Sequence, residues 1–196
     1  MAGGLGALGQ LIRTILILVI ASIAAAIGAI IVMGVLVFTG SPSACVDRAV
    51  PVSPAASEQL RAAWRNFGQQ AARAPASITI TETQATSRGV DYIDEKDAPV
   101  EDLQVYFCPG GYAEASGKIS ILGAKTKVIV RGTLDLSGSK PEIQIDSVRA
   151  GSLPSFIAKP AVDLVLNTGN LRTLDLKEHL TSIQFADGTA TVQGGP

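Results

Sequence analysis

The chain has 196 residues, of which 16 are basic and 17 acidic, giving a net charge of −1. That balance leaves no electrostatic footprint for nucleic acid and no polybasic patch for anionic lipid. One histidine and two cysteines fall short of the four Cys/His ligands of a structural zinc site, and no spaced Asp motif suggests an all-carboxylate one, so no metal is assigned.

No charged residue lies between Arg13 and Asp47, and residues 14–38 are almost all Ile, Leu, Val, Ala and Gly. A helix over those 25 residues rises about 37 Å, more than the ~30 Å hydrocarbon core of a bilayer. The segment reads as a transmembrane helix, with residues 1–13 as a short cytoplasmic N-terminus. A cleaved signal peptide is the alternative. Signal cores run about 7–15 residues, though, and Pro42-Ser43-Ala44 is a poor cleavage site. A lipoprotein with Cys45 acylated meets Pro42 where an aliphatic residue belongs. Arg13 and the N-terminal amine flank one side and Arg48 the other, so the positive-inside bias is weak. The cysteines and the lack of a second apolar span place the rest of the chain outside the cytoplasm, at the plasma membrane. Ala21, Ala25 and Ala29, with Ala24 and Gly28, permit self-association through the helix. An Ala-rich helix with no partner shows the same spacing.

Residues 39–52 read as a linker, with Gly40, Pro42, Pro51 and several serines. Residues 53–196 form one extracytoplasmic domain. Ser53-Pro54 is an N-cap followed by proline at the first helical position. Leu60, Ala63, Trp64, Phe67 and Ala71 then share a helical face, and Pro75 stops the helix. A short strand at 78–81 follows. Thr81 and Gln84 fit a capping box. The helix they open has Ala85, Gly89, Tyr92 and Ile93 as its apolar positions and stops before Pro99.

From there the period becomes 2. Leu103, Val105 and Phe107 alternate with Asp102, Gln104 and Tyr106. Ala113, Ala115, Gly117, Ile119 and Ile121 alternate with Glu114, Ser116, Lys118 and Ser120. Ala124, Thr126, Val128, Val130, Leu134 and Leu136 alternate with Lys125, Lys127, Arg131 and Asp135, and Ile143 and Ile145 with Glu142, Gln144 and Asp146. Such alternation predicts an antiparallel meander with one buried and one wet face. Its turns fall at Pro109-Gly110-Gly111, Leu122-Gly123 and 137–140. Strands this long cannot stay flat, so curvature is expected. Pro154 opens a third helix through Phe156, Ile157, Ala161, Leu164 and Val165, with Pro160 inside it and Gly169 as its stop. Asp187-Gly188 between 181–186 and 189–193 marks a final hairpin. The fold class is therefore α+β, a long-stranded, curved meander packed on two to three helices.

Candidate chemistry is sparse. His179 sits in a polar stretch, and the chain has no Gly-x-Ser-x-Gly elbow, so no catalytic residue is assigned. Asp91, Asp94, Glu95 and Asp97 surround Lys96 without the spacing of a calcium loop, and read as a solvated helix end. Gly110-Gly111 opens no helix and is a turn rather than a phosphate cradle. Cys45 and Cys108 are expected to pair, as cysteines outside the cytoplasm do. Two free thiols would require the opposite topology. Leu60, Trp64, Phe67, Phe107, Ile119, Val128, Val130, Phe156 and Leu164 are either plain core or the lining of an apolar cavity. Small residues at Ala113, Ala115 and Gly117 would leave room in it.

The order of these elements carries a resemblance. Ile78-Thr79-Ile80-Thr81-Glu82 precedes the meander, and Val148-Arg149-Ala150-Gly151-Ser152-Leu153-Pro154 leads out of it. Leu180-Thr181-Ser182-Ile183-Gln184-Phe185-Ala186-Asp187-Gly188 and Val192-Gln193-Gly194 close the chain. Over residues 78–194 this pattern resembles the envelope proteins grouped with the mycobacterial lipomannan elongation factor, which look like tubular lipid-binding (TULIP) proteins. The resemblance implies a curved sheet wrapped on a long helix, a lipid ligand and no catalytic residue to carry over; no cofactor is assigned. The expected function is thus a membrane-anchored envelope protein that binds lipid or another apolar ligand. The rival is a structural or protein-interaction module with a closed core, whose polar sheet face meets a partner. An apolar groove of about 300 Å³ or more separates the two.

Overall fold

The computed structural model describes residues 22, 25, 28, 32, 35, 40–121, 124–136, 142–152, 158–160 and 180–196. The first helix, α1 (Pro54–Ala71), starts as its sequence dictates: Ser53 is extended and its side chain accepts from the Ala56 N–H, with proline at the first turn. The second, α2 (Glu82–Glu95), carries a complete capping box between Thr81 and Gln84. Strand β1 (Ala76–Thr81) lies between them. The chain continues through β2 (Val100–Cys108), β3 (Tyr112–Ile121), β4 (Ala124–Asp135) and β5 (Glu142–Ala150), and ends with β6 (Leu180–Ala186) and β7 (Thr189–Gly194).

The strands form two antiparallel sheets. The meander is there as a four-stranded sheet in the order β2-β3-β4-β5. Register shifts fall between Glu101 and Gln104 and between Arg131 and Gly132. Each such bulge bends and twists its strand. The second sheet has the order β1-β7-β6, so the early strand at 76–81 pairs with the C-terminal hairpin. Both helices flank this arrangement, and 158–160 is helical as well.

Helix α1 does not lie on the meander as its apolar face suggested. Leu60, Phe67 and Ala71 pack with Ile78, Leu180 and Val192 of the three-stranded sheet, and Trp64 and Leu136 border that cluster. Helix α2 departs further. Its fully buried residues are Glu82, Thr86 and Ser87, while Ala85, Gly89, Tyr92 and Ile93 are half-buried. The reason is backbone satisfaction. Thr86 Oγ1 accepts from the N–H of Val105 at 2.9 Å, and Ser87 Oγ accepts from the N–H of Ser53 at 3.0 Å. These hydroxyls satisfy an edge strand and a helix start that would otherwise be buried unpaired. A salt-bridged seam joins the two helices. Arg61 reaches Glu95 at 2.9 Å and Asp91 at 3.3 Å, and Arg88 reaches Glu95 at 3.0 Å. Two members of the acidic run around Lys96 are thus held by arginines.

Among the described residues, no helix is long and apolar enough to cross a membrane, and nearly all of 14–38 lies outside them. The expected turns at 122–123 and 137–140, Phe156, Leu164 and His179 also lie outside the described residues.

Candidate functional site

The register gives the four-stranded sheet two distinct faces. On one, Ala113 pairs with Gly132, Ala115 with Val130, Gly117 with Val128 and Ile119 with Thr126. Phe107 and Val105 extend this face onto β2, and Val148 and Ala150 onto β5. Val128, Val130 and Ile119 therefore share one side, and Leu134 shares their register. Lys125 and Lys127 are exposed on the other, as the alternation required.

Burial along the apolar face is uneven. Ile119, Val128, Thr126, Val148 and Ala150 are all at most 7% exposed. Ala113, Ala115, Val130 and Gly132 remain partly open to solvent, and these four are cross-strand neighbours. They make a strip with a floor of small side chains. Phe107 borders it and stacks on Phe185 of the other sheet, ring centroids 5.7 Å apart. Gly117 does not add room to this strip. A Cβ there would lie 2.8 Å from Val100 Cγ1 and 3.3 Å from the Glu101 carbonyl, because the bulge folds β2 over that position. Of the candidate lining residues, Phe107, Ile119, Val128 and Val130 belong to this face. Leu60, Trp64 and Phe67 belong to the α1 cluster.

The opposite face departs from the sequence expectation. Tyr106, Glu114 and Ser116 were placed in water by their alternation, yet they are only 6%, 4% and 3% exposed. What covers this face is the stretch between the apolar segment and α1. Cys45 forms a disulfide with Cys108, Cα atoms 5.9 Å apart, as expected. The Cys45 N–H donates to Glu114 Oε2 at 2.7 Å, and Arg149 donates to Glu114 Oε1 at 2.8 Å. The Val50 N–H donates to Gln104 Oε1 at 2.7 Å. Val50, Tyr106 and Cys108 form a small core with Ala44, Cys45, Val46 and Tyr112. Arg131, also expected in water, is half-buried and stacks 3.4 Å over the Tyr112 ring. Residues 40–52 are therefore a strap fastened across the sheet.

The strap continues to a charged hub. Arg48 donates twice to Glu82, at 2.8 Å each, and once to Asp187 at 2.7 Å. Glu82 also accepts the Phe107 N–H at 2.8 Å. The backbone closes the same corner, with Gly188 donating to the Phe107 carbonyl and Glu82 to the Gly188 carbonyl. These carboxylates hold the Arg48 guanidinium firmly charged, its pKa raised chiefly by the hydrogen bond to Glu82. Glu114, Arg48 and Arg149 carried no signal in the sequence for these roles, and Glu82 only a weak one. The one available clue was an acidic residue in the first turn after a capping threonine.

Two further features have the outline of ligand sites. A groove of about 610 Å³ opens between the strap and β2, lined by Asp47, Arg48, Val52, Val90, Asp102, Leu103 and Tyr106 among others. None of the apolar lining candidates borders it. Three of its polar groups are already engaged: Arg48 with Glu82 and Asp187, Gln104 with Val50, and Asp102 with Lys118 at 2.6 Å. It is the seam along which the strap lies. Cys45, Cys108 and Glu114 bring possible ligand atoms within 4.8 Å of one another. Joined as a disulfide, the two sulfurs are not thiolates and cannot act as metal ligands in that state. Compared with known proteins, the chain matches no family model, no curated protein and no solved structure.

Proposed function

We propose that this is a membrane-anchored extracytoplasmic domain that binds the acyl chain of a lipid, or a similar apolar ligand, without catalysis. The observation that carries the reading is the partly open strip of Ala113, Ala115, Val130 and Gly132 on the apolar face of the four-stranded sheet. Small floor residues on a bulged, long-stranded sheet suit a hydrocarbon chain, which gains by leaving water and asks for no polar partner. The apolar stretch at 14–38, the disulfide and the resemblance to lipid-holding envelope proteins support it. The rival placed a protein partner on the polar sheet face, and the strap already occupies the centre of that face.

The test uses the full chain in lipid nanodiscs doped with a phospholipid bearing a diazirine near the end of one acyl chain. Photolysis should attach label to the peptides containing residues 113–115 and 130–132. Ala115→Trp should remove that label while leaving the disulfide formed. Label confined to residues 14–38 would refute lipid binding by the domain.

A further inference from the structure

The strap fixes where the domain sits relative to the apolar segment. Gly40 adopts φ +90° and lies against the loop that leaves β5. A Cβ on it would stand 2.7 Å from Ser152 Oγ and 3.7 Å from the Gly151 carbonyl carbon. Gly40 lies two residues after Phe38, the last of the apolar stretch. Even fully extended, two residues span at most about 7 Å. From Gly40 onward the chain is held to the sheet by the Cys45–Cys108 disulfide and by the bonds of Cys45 and Val50 to Glu114 and Gln104. A free linker over residues 39–52 would let the domain roam. This one is fastened along its length.

The surface beside that entry point carries three lysines, one of them without an ion pair among the described residues. Val128 pairs with Ala150, so Lys127 lies one step beyond, next to where Gly151 leaves the sheet. Lys127 stands directly opposite Lys118 on β3, and Lys125 is two residues along the same face. Like charges in cross-strand register repel each other. Lys118 is neutralised by Asp102 at 2.6 Å and Lys125 by Glu101 at 2.7 Å. Lys127 is exposed and has no ion pair among the described residues.

We infer that this end of the four-stranded sheet, Lys127 together with Gly151 and Ser152, is a seat on the headgroups of the membrane that holds the anchor, with Lys127 against a lipid phosphate. The inference rests on the proposed anchor at 14–38 and adds a fixed orientation to it. A domain seated in this way exchanges its apolar ligand with its own membrane rather than carrying it across a gap.

The experiment uses the full chain in nanodiscs of phosphatidylcholine with phosphatidylglycerol, at low salt, and an amine-reactive ester. Lys96, at the C-terminal end of α2, is the internal reference. A lysine near an anionic surface gains about fivefold in occupancy of that surface, so Lys127 acylation should slow by about fivefold relative to Lys96. The slowing should shrink in pure phosphatidylcholine and at high salt. Replacing both Cys45 and Cys108 by Ser unfastens the strap and should bring Lys127 back toward the rate of Lys96. A chain that elutes apart from the discs overturns the anchor and the seat with it. A chain that co-elutes, with Lys127 as reactive as Lys96, overturns the seat alone.

Discussion

Glu82 is the residue whose loss should be felt furthest from its own position. It is 6% exposed and joins the strap, the start of α2, the end of β2 and the β6–β7 turn. Glu82→Ala leaves the buried Phe107 N–H without an acceptor, which costs about 1–3 kcal/mol. It also breaks the pair with Arg48. That pair is worth less than the roughly 3–5 kcal/mol of a fully buried one, because the Arg48 side chain is 38% exposed and keeps both water and Asp187. The two effects together point to about 2–4 kcal/mol. Glu82→Gln keeps the oxygen that accepts from Phe107 but turns an amide toward Arg48, so it should cost about half as much. Urea unfolding of the full chain in nanodiscs, followed by the fluorescence of Trp64 beside Phe67, reads both values. A Glu82→Ala shift below about 1 kcal/mol, or a Gln variant as damaged as the Ala variant, would refute the hub.

The Cys45–Cys108 bridge closes a loop with a sequence separation of 63, for which the chain-entropy relation gives about 4 kcal/mol. Cys45→Ser with Cys108→Ser should lower the urea midpoint accordingly, and an unchanged midpoint would mean that the strap holds without it. The hydrogen bond from Arg88 keeps the Glu95 carboxyl below its ordinary value of 4.5. Because the folded value is the lower one, the Arg88–Glu95 bridge contributes stability above pH 4.5 and loses it as pH falls through the depressed value. The contribution is small, since the Glu95 side chain is 46% exposed. A carboxyl carbon-13 titration of Glu95 should show the low midpoint, and Arg88→Ala should raise it. An unmoved midpoint in that variant would remove Arg88 as the cause.

Local signals in the sequence were reliable where one short segment fixes the outcome. The Ser53-Pro54 start, the Thr81–Gln84 capping box, the Asp187-Gly188 hairpin and the meander all depend on neighbours within a few residues. Pairings across long separations left no such mark. Nothing near Ile78 shows that its strand will meet Val192, so the pairing of β1 with the C-terminal hairpin was invisible and α1 was aimed at the meander instead. Alternation also reports only polarity. Glu114 and Ser116 are polar, and the rule sent them to water. A carboxylate given Arg149 and a backbone N–H is as content under a strap. The strip on the apolar face was partly legible, in the run of alanines on β3. Val100 closing over Gly117 was not, because a bulge leaves no sequence period.

The bridge between Cys45 and Cys108 also decides how tension travels. A tug on the N-terminal segment enters the domain at Cys45 and crosses the sulfurs directly to the end of β2. The covalent ring holding α1, β1, α2 and most of β2 lies off that line and stays slack. The two helices and their arginine seam are thereby sheltered from a pull on the N-terminal segment, and the load falls first on the turn at Pro109 and the strand that follows it.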